Sequence, residues 1–218
     1  MIPWEILDEK PVPDGGTMQL ARRGEEYVIR VDRKDLMSSR MSGSERALAE
    51  TSCAGAGAGF RALVGGLGLG YTLRAALDQL PDDSEVVVAE LVPAVIAWNR
   101  DLLGHLADHP LDDARTTVFE GDVRKPIQAP GTKFDAIMLD VDNGPEGLSH
   151  EANGWLYQKA GIAACKQALR PKGVLAIWSA FDDPRFTRRL KEAGFSVELL
   201  PVRAHGKKGA KHYVWLAR

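Results

Sequence analysis

The chain has 218 residues, 44% hydrophobic and 27% charged, with a formal net charge of −2. That is enough chain for one large α/β domain with a small addition, and the near-neutral balance supplies no global basic field to attract nucleic acid. Residues 1–10 hold three acids and no long apolar run, unlike a secretory signal, and no stretch reaches the ~18 apolar residues of a membrane span, so a cytoplasmic protein is expected. Two cysteines, Cys53 and Cys165, stand without metal-type spacing. Two buried free thiols in a reducing compartment are the expected state, and no metal site is expected.

Residues 1–16 are rich in proline and glycine and read as irregular. Residues 18–22 and 27–31 alternate around Arg23-Gly24-Glu25-Glu26 and read as a hairpin. Ser42 with Glu45 three positions later is a capping-box signature, predicting a helix to about residue 51. The small residues of 53–59 form a connector. The boundary falls there, with a hairpin-and-helix appendage over 1–57 and a main domain over 58–218.

From Phe60 onward strands and helices alternate. Strands are expected at 62–65, 85–89, 116–119, 134–139, 174–178, 196–199 and 213–216, and helices at 71–80, 93–106, 155–169 and 184–193. Short apolar runs joined by helices argue for a mostly parallel sheet covered on both faces. The last two strands have no helix between them, so the final one should return antiparallel.

The most informative stretch is Gly65-Gly66-Leu67-Gly68-Leu69-Gly70, which follows a strand and leads into a helix. Glycine admits positive φ and close approach of backbone to a ligand. The next strand ends in Glu90. A glycine turn with an acid at the tip of the following strand is how an open α/β sheet holds a nucleoside. A dinucleotide fingerprint needs Gly-x-Gly-x-x-Gly. Tyr71 breaks the register that starts at Gly66, and Leu73 breaks the one that starts at Gly68.

Four motifs, each after a successive strand, carry a resemblance: the glycine loop, Ala89-Glu90-Leu91-Val92-Pro93, Gly121-Asp122-Val123 and Asp140-Val141-Asp142-Asn143-Gly144-Pro145. In order and spacing they resemble the class I S-adenosylmethionine-dependent methyltransferase fold, and more narrowly its spermidine synthase-like branch. The resemblance covers roughly 60–218 and also matches the N-terminal hairpin. It implies a Rossmann-like α/β fold with a seven-stranded, mostly parallel sheet whose last strand is antiparallel. It implies S-adenosylmethionine, or its decarboxylated form, as cofactor and a small-molecule acceptor as partner. A homodimer is the expectation by analogy alone.

The resemblance also assigns roles. Gly66, Leu67, Gly68 and Gly70 would run beneath the methionine part and ribose of the cofactor. Glu90, followed by Leu91, would accept hydrogen bonds from the ribose hydroxyls, as suits an acceptor-only carboxylate; an isolated acid there also reads as a solvated strand end. Asp122 with the Val123 N–H would clamp adenine, although Asp after glycine equally fills a turn or N-cap. Asp140 and Asp142 would orient the acceptor and take its proton, and two close carboxylates should push one pKa upward. Their alternative is an Asp–Asn–Gly turn that satisfies its own backbone. His150, Trp155, Tyr157, Trp178 and Ser179 are weaker candidates for the pocket. The basic run Arg203, His205, Lys207, Lys208 and Lys211 reads as a solvated hairpin tip that could also attract an acidic substrate.

Spermidine synthases typically carry Gly-Gly-Gly-Asp-Gly-Gly in the first loop, where the Asp selects the decarboxylated cofactor. Its place here is taken by Gly68, and no carboxylate stands in the loop. The fourth motif is one residue longer than the synthase pattern, and Arg40 brings positive charge near the hairpin. On these departures the sequence reading expects a spermidine synthase-like transferase that moves a methyl group from S-adenosylmethionine. Aminopropyl transfer is the alternative, and a non-catalytic cofactor-binding module is the reading from a different class.

Overall fold

The computed structural model describes residues 2–12, 15–141, 144–145, 151–205 and 208–218, with the side chains of 151–153 and 208 left aside. Four antiparallel strands come first, β1 (Glu5–Pro11), β2 (Thr17–Arg23), β3 (Glu26–Val31) and β4 (Lys34–Ser38), in the order β1-β2-β3-β4. The expected hairpin is the middle of this sheet, with Met18 paired to Val31 and Arg23 to Glu26. The irregular stretch expected over 1–16 instead contains β1. It is an outer strand exposed over most of its length, so it lacks the apolar alternation that marks a half-buried strand.

Helix α1 (Gly43–Ser52) leads to the main sheet. Its elements are β5 (Arg61–Gly65), α2 (Tyr71–Gln79), β6 (Glu85–Glu90), α3 (Pro93–Asp101), β7 (Thr116–Glu120), α4 (Arg124–Gln128), β8 (Phe134–Leu139), α5 (Lys159–Ala168), β9 (Leu169–Ser179), α6 (Pro184–Glu192), β10 (Val197–His205) and β11 (Lys208–Ala217). The strand order is β10-β11-β9-β8-β5-β6-β7, and β11 runs antiparallel to both of its neighbours. This is the Rossmann-like α/β sheet expected from the sequence.

Strand parity builds a core on each face. Ala62, Val64, Val86, Val88 and Ala176 point to one side with Leu48, Leu73, Leu77 and Ile96 of α1, α2 and α3. Leu63, Ala89, Leu175 and Ile177 point to the other with Ile127, Ile162, Cys165 and Leu190 of α4, α5 and α6. Successive side chains of a strand face opposite ways, so a strand covered on both faces must be apolar throughout. Cys53 and Cys165 are free, buried thiols pushed up to about 12 by burial.

Helix α6 shows how a terminus is fixed. Asp183, itself buried, accepts from the N–H groups of Arg185 (2.8 Å) and Phe186 (3.1 Å). Phe186 then packs edge-on against Trp215 and Tyr157. Replacing this cap with Ala should cost about 2 kcal/mol and lower Tm by about 4–8 °C in thermal unfolding. D183N keeps one acceptor oxygen and should retain most of that stability; equal loss in the two variants would refute the capping role.

The main sheet reverses its order between β5 and β8. The chain builds β6 and β7 on one side of β5, then returns to the other side. In such sheets the crevice at the carboxyl ends of the strands beside the reversal is where ligands bind. The N-terminal sheet is tied down against that crevice. Trp98 Nε1 on α3 donates to Asp8 on β1 (2.8 Å), and Tyr71 Oη donates to the Ser39 carbonyl (3.1 Å). No helix among the described residues is long and apolar enough to cross a membrane.

Several lengths differ from expectation: the helix expected over 93–106 ends at Asp101 with a separate 3-10 turn at Gly104–Ala107, and the strand expected at 174–178 starts at Leu169. The helix expected over 155–169 is a 3-10 turn, Glu151–Tyr157, followed by α5. The terminal strands run well past 196–199 and 213–216, so Arg203, His205 and Lys211 sit on a paired hairpin rather than in a loop.

Candidate functional site

A cleft of about 610 Å³ lies between the two sheets, in the size range of small-molecule sites (roughly 300–1,000 Å³). Its floor is Gly66, Gly68, Glu90, Leu91, Asp122, Val123 and Asp140, all at the carboxyl edge of the main sheet. Its roof is Met18, Ile29, Val31, Leu36 and Met37 from β2–β4. The fold therefore gathers Gly66, Gly68, Glu90, Leu91, Asp122, Val123 and Asp140 into one crevice, with Asp32 at its rim, whereas Leu67 lines a neighbouring pocket and Gly70 faces Asn99 and Pro110.

Positive φ at Gly66 (90°), Gly68 (52°) and Gly70 (84°) bends the chain from β5 into α2. A Cβ on Gly66 would lie 2.2 Å from the Asp140 carbonyl oxygen, and one on Gly70 would lie 3.2 Å from Asn99 Oδ1 and from Pro110. At these two positions it is protein, not a ligand, that demands glycine. Gly68 faces Met37, with the Sδ 2.9 Å from a built Cβ. Asn99 Nδ2 donates to the Gly68 carbonyl (2.8 Å) and holds the loop from α3.

Glu90 is 8% exposed. One carboxylate oxygen accepts from the Leu67 N–H (2.9 Å) and the other from the Val92 N–H (2.8 Å). Burial raises its pKa, and backbone N–H groups of Val92, Leu67, Gly68 and Leu91 oppose that rise. Glu90 is therefore not a solvated strand end. It ties the glycine loop to the loop after β6, and each oxygen keeps a lone pair for a further donor.

Asp122 accepts from the Arg124 N–H (2.8 Å) and pairs with the Arg124 guanidinium (2.7 Å to Nε). The turn role and the cleft position coexist, because Asp122 and Val123 both line the crevice while the Asp122 carboxylate holds the Arg124 N–H at the start of α4.

Asp140 stands where this cleft meets a second, smaller pocket of about 190 Å³. Glu45, Tyr71, Thr72, Trp178 and His212 line the small pocket with Asp140, and Leu36, Met37, Gly68 and Val141 border both spaces. Thr72 Oγ1 donates to Asp140 Oδ2 (2.7 Å). Burial raises the Asp140 pKa to about 7, the Glu45 charge adds to the rise, and the Thr72 bond opposes it. Asp142, expected to be its acidic partner, lies outside the described residues, as do Asn143, His150 and Lys207. Among the described residues the carboxylate that acts on Asp140 is Glu45.

Glu45 is the residue that sequence reasoning missed. Its spacing from Ser42 reads as a capping box, but Ser42 makes no side-chain capping bond. Instead Ser44 Oγ donates to Glu45 Oε2 (2.7 Å), and the glutamate faces the pocket. Burial is the main cause of its raised pKa. His212 Nδ1 lies 2.9 Å from the same Ser44 hydroxyl, and burial lowers the His212 pKa. Trp178 packs edge-on against the His212 ring at 4.8 Å between centroids. Tyr157 and Trp155 pack in the second core and Ser179 bonds its own strand end, so these three do not line the pocket. On the basic hairpin, His205 Nδ1 meets the Arg40 carbonyl (3.2 Å) and Lys211 lies over the Tyr213 ring. Neither reaches the crevice.

Residues 62–190 match the family model described as "Spermine/spermidine synthase domain". The chain belongs to the spermine/spermidine synthase family. Among solved structures it is similar to a spermidine synthase in complex with the transition state analogue AdoDATO, with a TM-score of 0.74 and 17% identity over 97% of this chain and 71% of that one. The spermidine synthase from Thermotoga maritima aligns with a TM-score of 0.75 and 16% identity over the same shares. At such identities the likeness shows the shared fold. No curated protein matches the sequence.

The family match overturns the expectation of a methyltransferase. That expectation rested on the acid missing from the glycine loop, the longer fourth motif and the positive charge of Arg40. The physical reason it fails is that the acidic charge beside Gly68 comes from other elements, Glu45 on α1 and Asp140 after β8.

Proposed function

We propose that the protein is an aminopropyltransferase that moves the aminopropyl group of decarboxylated S-adenosylmethionine to a primary amine such as putrescine. The observation that carries this reading is the small pocket, where two carboxylates converge and no Lys or Arg side chain lines the wall among the described residues. Such a pocket attracts an ammonium and repels a carboxylate. The aromatic and thioether walls of Tyr71, Trp178, Met37 and Met41 suit the methylene stem of an amine.

Adenosine would lie in the larger cleft, its ribose hydroxyls on Glu90 and its adenine beside Asp122 and Val123. Leu91 and the apolar roof would exclude water from it. The sulfonium would lie near Asp140, at the junction of the two spaces. The amine nitrogen attacks the methylene carbon bonded to sulfur. That carbon–sulfur bond breaks, and its electron pair stays on sulfur as methylthioadenosine. An acceptor amine is protonated at neutral pH, since such groups titrate near ~10.4. It must lose a proton to become a nucleophile. Asp140, whose carboxyl is raised to about 7, would orient it and, in its ionised form, take that proton. Much of the rate would come from alignment of the two substrates.

The test is direct. Purified protein with decarboxylated S-adenosylmethionine and putrescine should release methylthioadenosine and spermidine in equal amounts, read by mass spectrometry. Absence of methylthioadenosine above the protein-free control with a panel of diamines would refute the reading.

A further inference from the structure

We propose that Glu45 is the specificity-determining residue for the donor, holding the ammonium end of its tail and excluding a donor that keeps an α-carboxylate. This rests on the aminopropyl-transfer reading of the same site.

The glycine loop cannot do this work. It holds no acid, and a side chain built at Gly68 would meet Met37, whose Sδ lies 2.9 Å and Cε 3.0 Å from the added Cβ. Met37 and Gly68 border both the adenosine cleft and the acidic pocket, so a tail that leaves the cleft passes them into the pocket. Of the two carboxylates there, Asp140 also borders the cleft, whereas Glu45 borders only the small pocket. Glu45 is thus the one placed to meet the far end of a tail.

Glu45 is also held in place. Ser44 bonds one of its oxygens, and His212 bonds Ser44 in turn. The Thr72 hydroxyl lies between the Glu45 backbone oxygen (3.5 Å) and Asp140 Oδ2 (2.7 Å), so it joins α1 to the end of β8. Arg46, the next residue, lies over the Tyr71 ring at 5.8 Å and does not line the pocket. A donor carboxylate would therefore enter a space lined by two acids, with no Lys or Arg on its wall among the described residues.

The probes are three stable thioethers, namely S-adenosylhomocysteine with carboxylate and amine, its decarboxylated analogue with the amine alone, and methylthioadenosine with neither. Binding is read by calorimetry. The wild type should prefer the decarboxylated analogue to S-adenosylhomocysteine by about tenfold or more, the ratio expected of one uncompensated like charge. In E45Q that preference should fall below about threefold while methylthioadenosine binds as in the wild type. E45D keeps the charge and should keep most of the preference. An E45Q variant that keeps the full preference overturns the proposal, as does E45D behaving like E45Q, which would assign the effect to packing. Weakened methylthioadenosine binding in E45Q would also overturn it. These probes undergo no transfer, so the two ideas fail separately. An inactive wild type with a Glu45-dependent ratio refutes aminopropyl transfer alone, and an active one with a Glu45-independent ratio refutes only the donor-selection role.

Discussion

Asp140→Asn is expected to lower kcat for aminopropyl transfer by about 10²–10⁴-fold, the range for losing a positioned proton acceptor, while methylthioadenosine still binds within about threefold of wild type. The side chain borders the cleft without forming its adenosine end, so binding and chemistry should separate. In the wild type, kcat/KM should rise with pH through about 7 as the Asp140 carboxyl ionises, and D140N should lack that limb. A D140N enzyme with near-normal kcat, or one with the same rising limb, would remove Asp140 from the chemistry.

The same substitution should stabilise the fold. The Asp140 pKa is raised to about 7 by burial and by Glu45, whereas an unfolded Asp titrates near ~3.9. Below both values the two states are equally protonated and no penalty exists. As pH climbs from about 4 to about 7 the unfolded chain ionises first, and the native state loses stability until its own carboxyl ionises. Asn carries no such penalty and can still accept from Thr72. At pH 8 the Tm of D140N should therefore exceed that of wild type by about 4 °C or more, and at pH 4 the two should agree. A lower Tm for D140N at pH 8 would contradict the buried, charge-crowded position.

Glu90→Gln is expected to weaken methylthioadenosine binding by about 10²-fold, the loss of an ionic acceptor together with a distorted loop. Both oxygens of Glu90 are in use, one on Leu67 N–H and one on Val92 N–H. The amide of Gln can accept at only one of its ends. One buried backbone donor is then orphaned, at a cost of about 1–3 kcal/mol, so Tm should fall by several degrees as binding weakens. The ribose contact is isolated by a 2′-deoxy analogue of methylthioadenosine, which should bind wild type about tenfold more weakly but lose little further in E90Q. Full additivity of the two changes would show that the ribose does not meet Glu90.

Much of this architecture is legible in the chain. The runs at 62–65 and 136–139 are apolar without a break, because β5 and β8 are covered on both faces. The absence of a crossover before β11 forces its antiparallel return. What escapes is whatever depends on elements distant in sequence. β1 is exposed and charged, and its identity as a strand comes from pairing with β2. Glu45 carries the spacing of a capping residue, and only the docking of α1 beside Thr72 turns it toward Asp140. Gly68 illustrates the same limit. The missing loop acid is a true feature of the sequence, yet it does not make the pocket neutral, since carboxylates from α1 and from the end of β8 line the same wall. Charge at a site is a property of the assembled surface rather than of one motif.

The most direct measurement is a crystal structure of the protein soaked with methylthioadenosine and putrescine together. The ribose hydroxyls should lie on Glu90, the adenine beside Asp122, and an ammonium within ~3 Å of the Glu45 or Asp140 carboxylate oxygens. Adenosine outside the cleft between the two sheets, or an amine bound away from those two acids, would contradict the site described.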